Sequence, residues 1–141
     1  MDRRQVGRQM SRHPRALLDT SVIIDFDAAA VGVHADGVAL SAITLAELAY
    51  GLHTSDAMVN ANRQSRYRWI VSRFDVIDFD TECAEAYGAL AAQVRAAGRN
   101  PRPRRLDLLI ASVAVRHALP LITRNPDDFA ALTSSLTLVA I

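Results

Sequence analysis

The sequence predicts an α/β fold, a three-layer α/β/α sandwich around a mostly parallel central sheet. Three observations carry that expectation. Short apolar runs alternate with longer segments of helical periodicity, the order expected of strands joined by helical crossovers. No internal repeat and no linker-like stretch divides the chain. The 141 residues are 50% hydrophobic and 22% charged, enough apolar surface for one autonomous core.

The elements follow in order. Residues 1–15 are polar and basic, lack apolar periodicity, and read as a flexible arm; residues 16–141 form the folded domain. Ala16-Leu17-Leu18 reads as a buried strand that ends in the turn or cap signal Asp19-Thr20-Ser21. A short helix is expected over 22–29 and a second strand over 38–41. Leu45, Leu48, Ala49 and Leu52 recur at three-to-four spacing, which predicts a helix over 43–52. An Arg-rich amphipathic helix is expected over 57–74 and a third strand over 76–79. The helix predicted over 81–97 opens with Thr81, Glu82 and Glu85, acids that suit its positive end, and closes at Gly98. Residues 99–105, with two prolines and four arginines, read as a loop. The almost wholly apolar stretch 106–118 predicts a buried helix. Leu121-Ile122-Thr123 is a fourth strand, a short helix starts near Asn125-Pro126, and 136–141 is a closing strand.

Composition removes several function classes. The lone Cys83 excludes an intramolecular disulfide framework and a Cys-rich zinc site, and fits a reducing cytoplasm. No apolar run approaches the ~20 residues that span a bilayer, so no membrane association is expected. The basic start meets only a three-residue apolar stretch before Asp19, so no signal peptide is expected. His13, His34, His53 and His117 show no metal-ligand pairing and read as surface or loop residues. All 16 basic residues are arginine. Five of them stand against one acid in 1–15, leaving 11 against 14 acids in a mildly acidic body. That balance argues against a DNA-binding regulator.

In parallel sheets ligands bind beyond the carboxyl ends of the strands. Four acids stand at such places: Asp19 after the first strand, Glu47 on the helix after the second, Asp107 opening the buried helix, and Asp128 after the fourth strand. Each also has an ordinary structural role open to it. Asp19 and Asp128 could cap helices or favour their positive ends, and Glu47 could be a solvated helix position. Asp107 could be satisfied by backbone amides or by Arg104 or Arg105. Yet Asp107 precedes a helix with little polar face, and a buried carboxylate is costly unless paired, hydrogen-bonded or metal-bound. Glu47, one of only three glutamates, shares a narrow helical stripe with Thr44 and Gly51 between apolar neighbours. Four acids converging on one edge would repel one another and raise their own pKa values. A hard dication, Mg²⁺ or Mn²⁺, removes that penalty and suits an all-carboxylate set better than zinc does.

Four segments in order, Leu18-Asp19-Thr20-Ser21-Val22-Ile23-Ile24-Asp25, Ser41-Ala42-Ile43-Thr44-Leu45-Ala46-Glu47-Leu48, Asp107-Leu108-Leu109-Ile110-Ala111 and Leu121-Ile122-Thr123-Arg124-Asn125-Pro126-Asp127-Asp128-Phe129, give the chain its resemblance. It resembles the PIN-domain ribonucleases, in particular the VapC toxins of bacterial type II toxin–antitoxin pairs. The resemblance covers residue 16 to the carboxyl terminus and implies a PIN-like fold. It implies Asp19, Glu47, Asp107 and Asp128 as the catalytic acids, with Asp19 and Asp107 as the metal ligands. Thr20, Ser21, Thr44 and Asn125 match supporting positions. Many family members carry an acid where this chain has Asn125, which leaves the fourth acid open between Asp127 and Asp128; the toxin-like pattern ahead of Phe129 favours Asp128.

The resemblance further implies metal-dependent endonucleolytic hydrolysis of RNA, possible action on tRNA, a cognate antitoxin, and a homodimer or a heteromer with that antitoxin. Between Arg95 and Arg105 lie five arginines and no acid. Arg99, Arg102, Arg104 and Arg105 are thus candidates for RNA phosphates. The second basic island, 63–73, is expected to face solvent or a protein partner. Two other readings compete: a non-catalytic PIN-like interaction module, which would lack members of the acidic set, and a metal-dependent phosphoesterase or nuclease acting on DNA.

Overall fold

The computed structural model describes residues 12–141, so most of the basic arm lies outside the described residues. The strands are β1 (His13–Leu18), β2 (Ala35–Ser41), β3 (Asp75–Ile77), β4 (Leu121–Thr123) and β5 (Leu138–Ala140). They form one sheet in the order β3–β2–β1–β4–β5, and every pairing is parallel. The helices are α1 (Thr20–Ile24), α2 (Ala28–Gly32), α3 (Ala42–Tyr50), α4 (Ala57–Arg73), α5 (Thr81–Ala96) and α6 (Arg105–Arg116). Two 3₁₀ segments, Arg102–Arg104 and Pro126–Leu132, complete the elements of the described residues.

The strand period of two divides the core. Leu17, Ala39 and Leu121 point to one face, against Cys83, Leu90, Ile110, Val113 and Phe129 of α5, α6 and the second 3₁₀ segment. Their neighbours Ala16, Leu18, Leu40 and Ile122 point to the other, against Val22, Val31, Leu48 and Ile70 of α1 to α4. This is the expected three-layer sandwich.

Several boundaries differ from the sequence reading, each for a local reason. β1 starts at His13, inside the segment read as arm, because its backbone pairs with β2 (His13 with Ala35, Arg15 with Gly37) while its outer residues stay exposed. An ion pair between Arg12 and Asp36, 2.6 Å apart, flanks that extension. The single helix expected over 22–29 is two, because the Asp27 carboxylate accepts the amides of Ala29 and Ala30 and starts a new one. Ser41, Asp56 and Asp80 cap α3, α4 and α5 in the same way. The loop after α5 tightens into a 3₁₀ turn. Among the described residues no helix is long and apolar enough to cross a membrane.

From β1 the chain moves outward through β2 to β3, then crosses back to β4 and β5 on the other side. The carboxyl ends of β1 and β4 therefore flank the switch point, where a crevice opens in a sheet of this kind.

Two left-handed residues offer a paired test of the backbone. Gly98 ends the α5 turn at φ +78° with open space around its α-carbon, and Ala118 sits at φ +52° after α6. Gly98→Ala should destabilise by about 1 kcal/mol from strain alone. Ala118→Gly should relieve strain of similar size, partly offset by glycine's larger unfolded-state entropy. Urea midpoints are expected to fall for the first variant and hold or rise for the second.

Candidate active site

Asp19 follows β1 at the switch point and is only 4% exposed. It occupies the cap position of α1, yet its side chain caps nothing. Its Oδ2 instead accepts the hydroxyls of Ser21 and Thr123, both at 2.8 Å. Each hydroxyl is itself fixed by a backbone amide: Arg124 N–H to Ser21 Oγ (3.1 Å) and Asn125 N–H to Thr123 Oγ1 (3.0 Å). One carboxylate oxygen is thus saturated and oriented, while Oδ1 accepts no hydrogen bond from the described residues.

Glu47 reaches the same crevice from α3. Its Oε1 accepts the Thr20 hydroxyl at 2.9 Å. Thr20 Oγ1 also lies 3.0 Å from Thr44 Oγ1. A hydroxyl has one proton, so with Thr20 donating to Glu47, Thr44 donates to Thr20. Ser41 Oγ completes the chain toward Thr44 at 3.5 Å. Burial raises the Glu47 pKa, the Thr20 hydrogen bond lowers it, and the charge of Asp19 raises it; the net direction is upward. Glu47 is therefore not the solvated helix position that the sequence left open.

Asp107 lies in the first turn of α6, half-buried, and does not cap the helix. Its pKa is pushed up to about 6, first by burial and then by the charges of Asp19, Asp128 and Glu47, with Arg104 opposing. Three carboxylates from three other segments thus act on a fourth. Asp128 is half-buried and ion-paired with Arg104, while Asp127 is exposed. Arg104 Nη1 also lies 3.8 Å from Asp107 Oδ2.

The structure therefore gathers Asp19, Glu47, Asp107 and Asp128, with Thr20, Ser21 and Thr44 bonded beneath them. Asn125 takes part through its backbone amide only; its exposed side chain caps nothing. Arg102, Arg104 and Arg105 line a cleft of about 640 Å³ together with Glu47 and Asp107. Arg99 is separate: with Arg104 and Asp128 it lines a smaller, mostly apolar cavity of about 290 Å³. Two members escaped the sequence reading. Thr123 is fully buried and holds Asp19, but a β-branched residue ending a strand signals only a strand. Arg63, expected to face solvent or a partner, donates to Gly51 O at 2.7 Å, and with Arg66 it lines a hollow beside Thr20 and Glu47.

The donor set fits a cation. It is all oxygen, as Mg²⁺ or Mn²⁺ requires, and Asp107, raised first by burial, is raised further by the charges of Asp19, Asp128 and Glu47, which a dication would offset. Glu47 and Asp107 line one cleft and Asp128 the cavity beside it, and no three of the four acids bring oxygens within 4.8 Å of one another. Among the described residues, the one trio of metal-ligating side chains with atoms within 4.8 Å of one another is Asp80, Cys83 and His117, elsewhere in the molecule.

With this geometry in hand, comparison with known proteins is direct. Residues 16–134 match the PIN domain family. Ribonuclease VapC5 of Mycobacterium tuberculosis is 37% identical over 131 residues, spanning 87% of this chain and 92% of that protein. The tRNA(fMet)-specific endonuclease VapC of Shigella flexneri is 32% identical over 90 residues, 64% of this chain and 65% of that one. A crystal structure of VapBC-5 from Mycobacterium tuberculosis, a member of the VapBC family of toxin–antitoxin systems, superposes with a TM-score of 0.77 at 32% identity. It covers 91% of this chain and 99% of the other. The chain thus belongs to the PIN-domain family and, within it, to the VapC ribonucleases.

Proposed function

We propose that this chain is a divalent-metal-dependent endoribonuclease, the toxin of a type II toxin–antitoxin pair, acting in the cytoplasm on RNA, with tRNA as the substrate class. The observation that carries the reading is the convergence of four carboxylates at the β1–β4 crevice, three of which add to the effect of burial in raising the pKa of the fourth, Asp107. The names of the VapC relatives support RNA as the substrate, and the one specific to tRNA(fMet) supports the class. The solved VapBC complex supports an antitoxin partner.

Asp19 Oδ1 and Asp107 are the groups to hold Mg²⁺ or Mn²⁺. When bound, such an ion lowers the pKa of a water ligand and offsets charge on the phosphoryl group. The hydroxyls of Ser21 and Thr123 keep Asp19 from turning, so its free oxygen is presented at one angle. Glu47, held by Thr20 and with a raised pKa, is suited to accept a proton from the attacking water. Asp128 completes the acidic wall. Arg102 and Arg105, on the rim of the same cleft, are placed for the substrate's phosphates. No side-chain nucleophile is required. Tyr50 and Trp69, exposed on α3 and α4, offer apolar footing for the antitoxin or for a second copy in a homodimer.

Asp19→Asn and Asp107→Asn are each expected to lower Mg²⁺-dependent cleavage of labelled RNA by about 100-fold or more, with circular dichroism unchanged. EDTA should abolish wild-type activity. Retained cleavage in both variants would remove these residues from the site, and cleavage of DNA but not RNA would favour the phosphoesterase reading.

A second prediction concerns metal-free stability. The folded-state pKa of Asp107 lies above its ordinary 3.8, so the protonated form is favoured by folding. Its stabilising contribution is complete below the ordinary value and is lost as pH rises through about 6. In EDTA, Asp107→Asn should therefore melt higher than wild type near pH 7.5, by about 3–6 °C for roughly 1–2 kcal/mol after solvent screening. Near pH 4 the difference should fall to a small fraction of that. Thermal melts at the two pH values check it.

A further inference from the structure

We propose that Asp80, Cys83 and His117 form a second cation site, one for Zn²⁺ or a comparable borderline dication, which clasps α5 to α6 at the end of that helix pair remote from the acidic crevice. One carboxylate oxygen, the thiol sulfur and one ring nitrogen lie within 4.8 Å of one another. Two of them open α5, three residues apart, and the third follows α6. Asp80 caps α5 and its Oδ1 accepts the Cys83 amide at 2.9 Å, which folds the carboxylate back over the first turn. His117 arrives from the carboxyl end of α6. The two helices pack antiparallel here, as the Arg116–Glu82 ion pair beside the trio records.

The chemistry of the three donors selects the ion. Sulfur with imidazole suits Zn²⁺ and its borderline neighbours, whereas the all-oxygen crevice suits hard ions. Tetrahedral Zn²⁺ with ordinary bond lengths places such donors about 3.4–3.6 Å apart. Small side-chain rotations reach that spacing, and both Asp80 and His117 are exposed and free to make them. The thiolate and the carboxylate together balance two positive charges, and the adjacent Arg116 is already paired with Glu82. Cys83 is fully buried among apolar neighbours, and its sulfur faces the Asp80 carboxylate and lies 3.9 Å from the Asp78 carbonyl oxygen. Zinc binds the thiolate form, so binding releases the thiol proton to solvent. Three protein ligands leave the fourth position for water. His117 stands ten residues beyond Asp107 along α6, about 15 Å away. The two sites are therefore distinct, and neither depends on the other's assignment.

Cobalt separates them. Full-length protein in excess Mg²⁺, titrated with Co²⁺, should show thiolate-to-cobalt charge transfer in the near ultraviolet and the intense visible bands of a tetrahedral ion. Asp107→Asn should retain both. Cys83→Ser should lose the charge-transfer band, while His117→Ala and Asp80→Asn should each weaken Co²⁺ binding by more than about tenfold. Because Cys83 is buried and its variant could misfold, His117→Ala provides an independent arm: Zn²⁺ should raise the melting temperature of wild type and Asp107→Asn but not of His117→Ala. Absence of the charge-transfer band in wild type, its survival in Cys83→Ser, or an unchanged Zn²⁺ effect in His117→Ala would overturn the proposal.

Discussion

Mutual repulsion among carboxylates at one crevice is the constraint around which this molecule is organised. The sheet order imposes it: β1 and β4 are neighbours whose chains leave in opposite directions, so the segments after them share one opening. α3 and α6 then deliver Glu47 and Asp107 to the same place. The cost appears at Asp107, whose pKa is raised by burial first and then by the charges of Asp19, Asp128 and Glu47. Arg104, bridging toward Asp107 and Asp128, offsets part of it from within the chain.

Two kinds of acid differ by what their oxygens do. Asp27, Asp56 and Asp80 accept backbone amides and begin helices. Asp19 occupies an equivalent position but is held by hydroxyls that are themselves pinned by amides, and Glu47 sits at the end of a hydroxyl chain running back to β2. Hydroxyl donors orient a carboxylate without adding net positive charge, and among the described residues neither Asp19 nor Glu47 is paired with a cationic side chain. Asp80 belongs to both classes if its second oxygen takes a cation beside Cys83 and His117.

Much of this was legible in the sequence because it depends on local periodicity. The central strands, the α5–α6 pair and the parallel sheet follow from apolar runs and three-to-four spacing, and the four acids follow from where those runs end. What was not legible depends on contacts between distant segments. The first three residues of β1 are His13, Pro14 and Arg15, whose strand character comes only from pairing with β2. Thr123 supports Asp19 across 104 positions of sequence. Arg63 looks like a solvated or partner-facing residue until the fold turns it toward the carbonyl of Gly51, and the pairing of Arg104 with Asp128, unlike that with Asp107, spans 24 positions of sequence. His117 reads as isolated because its neighbours in space, Asp80 and Cys83, are more than thirty residues away in the chain.

The rims of the sheet have their own consequence. Its two outermost members, β3 and β5, are three residues each, so each offers only a stub of unsatisfied main chain. Such a stub gives an incoming polypeptide too few hydrogen-bonding groups to zip onto, which disfavours both strand-wise polymerisation and recognition by strand addition. Assembly is thereby channelled to the helical layers.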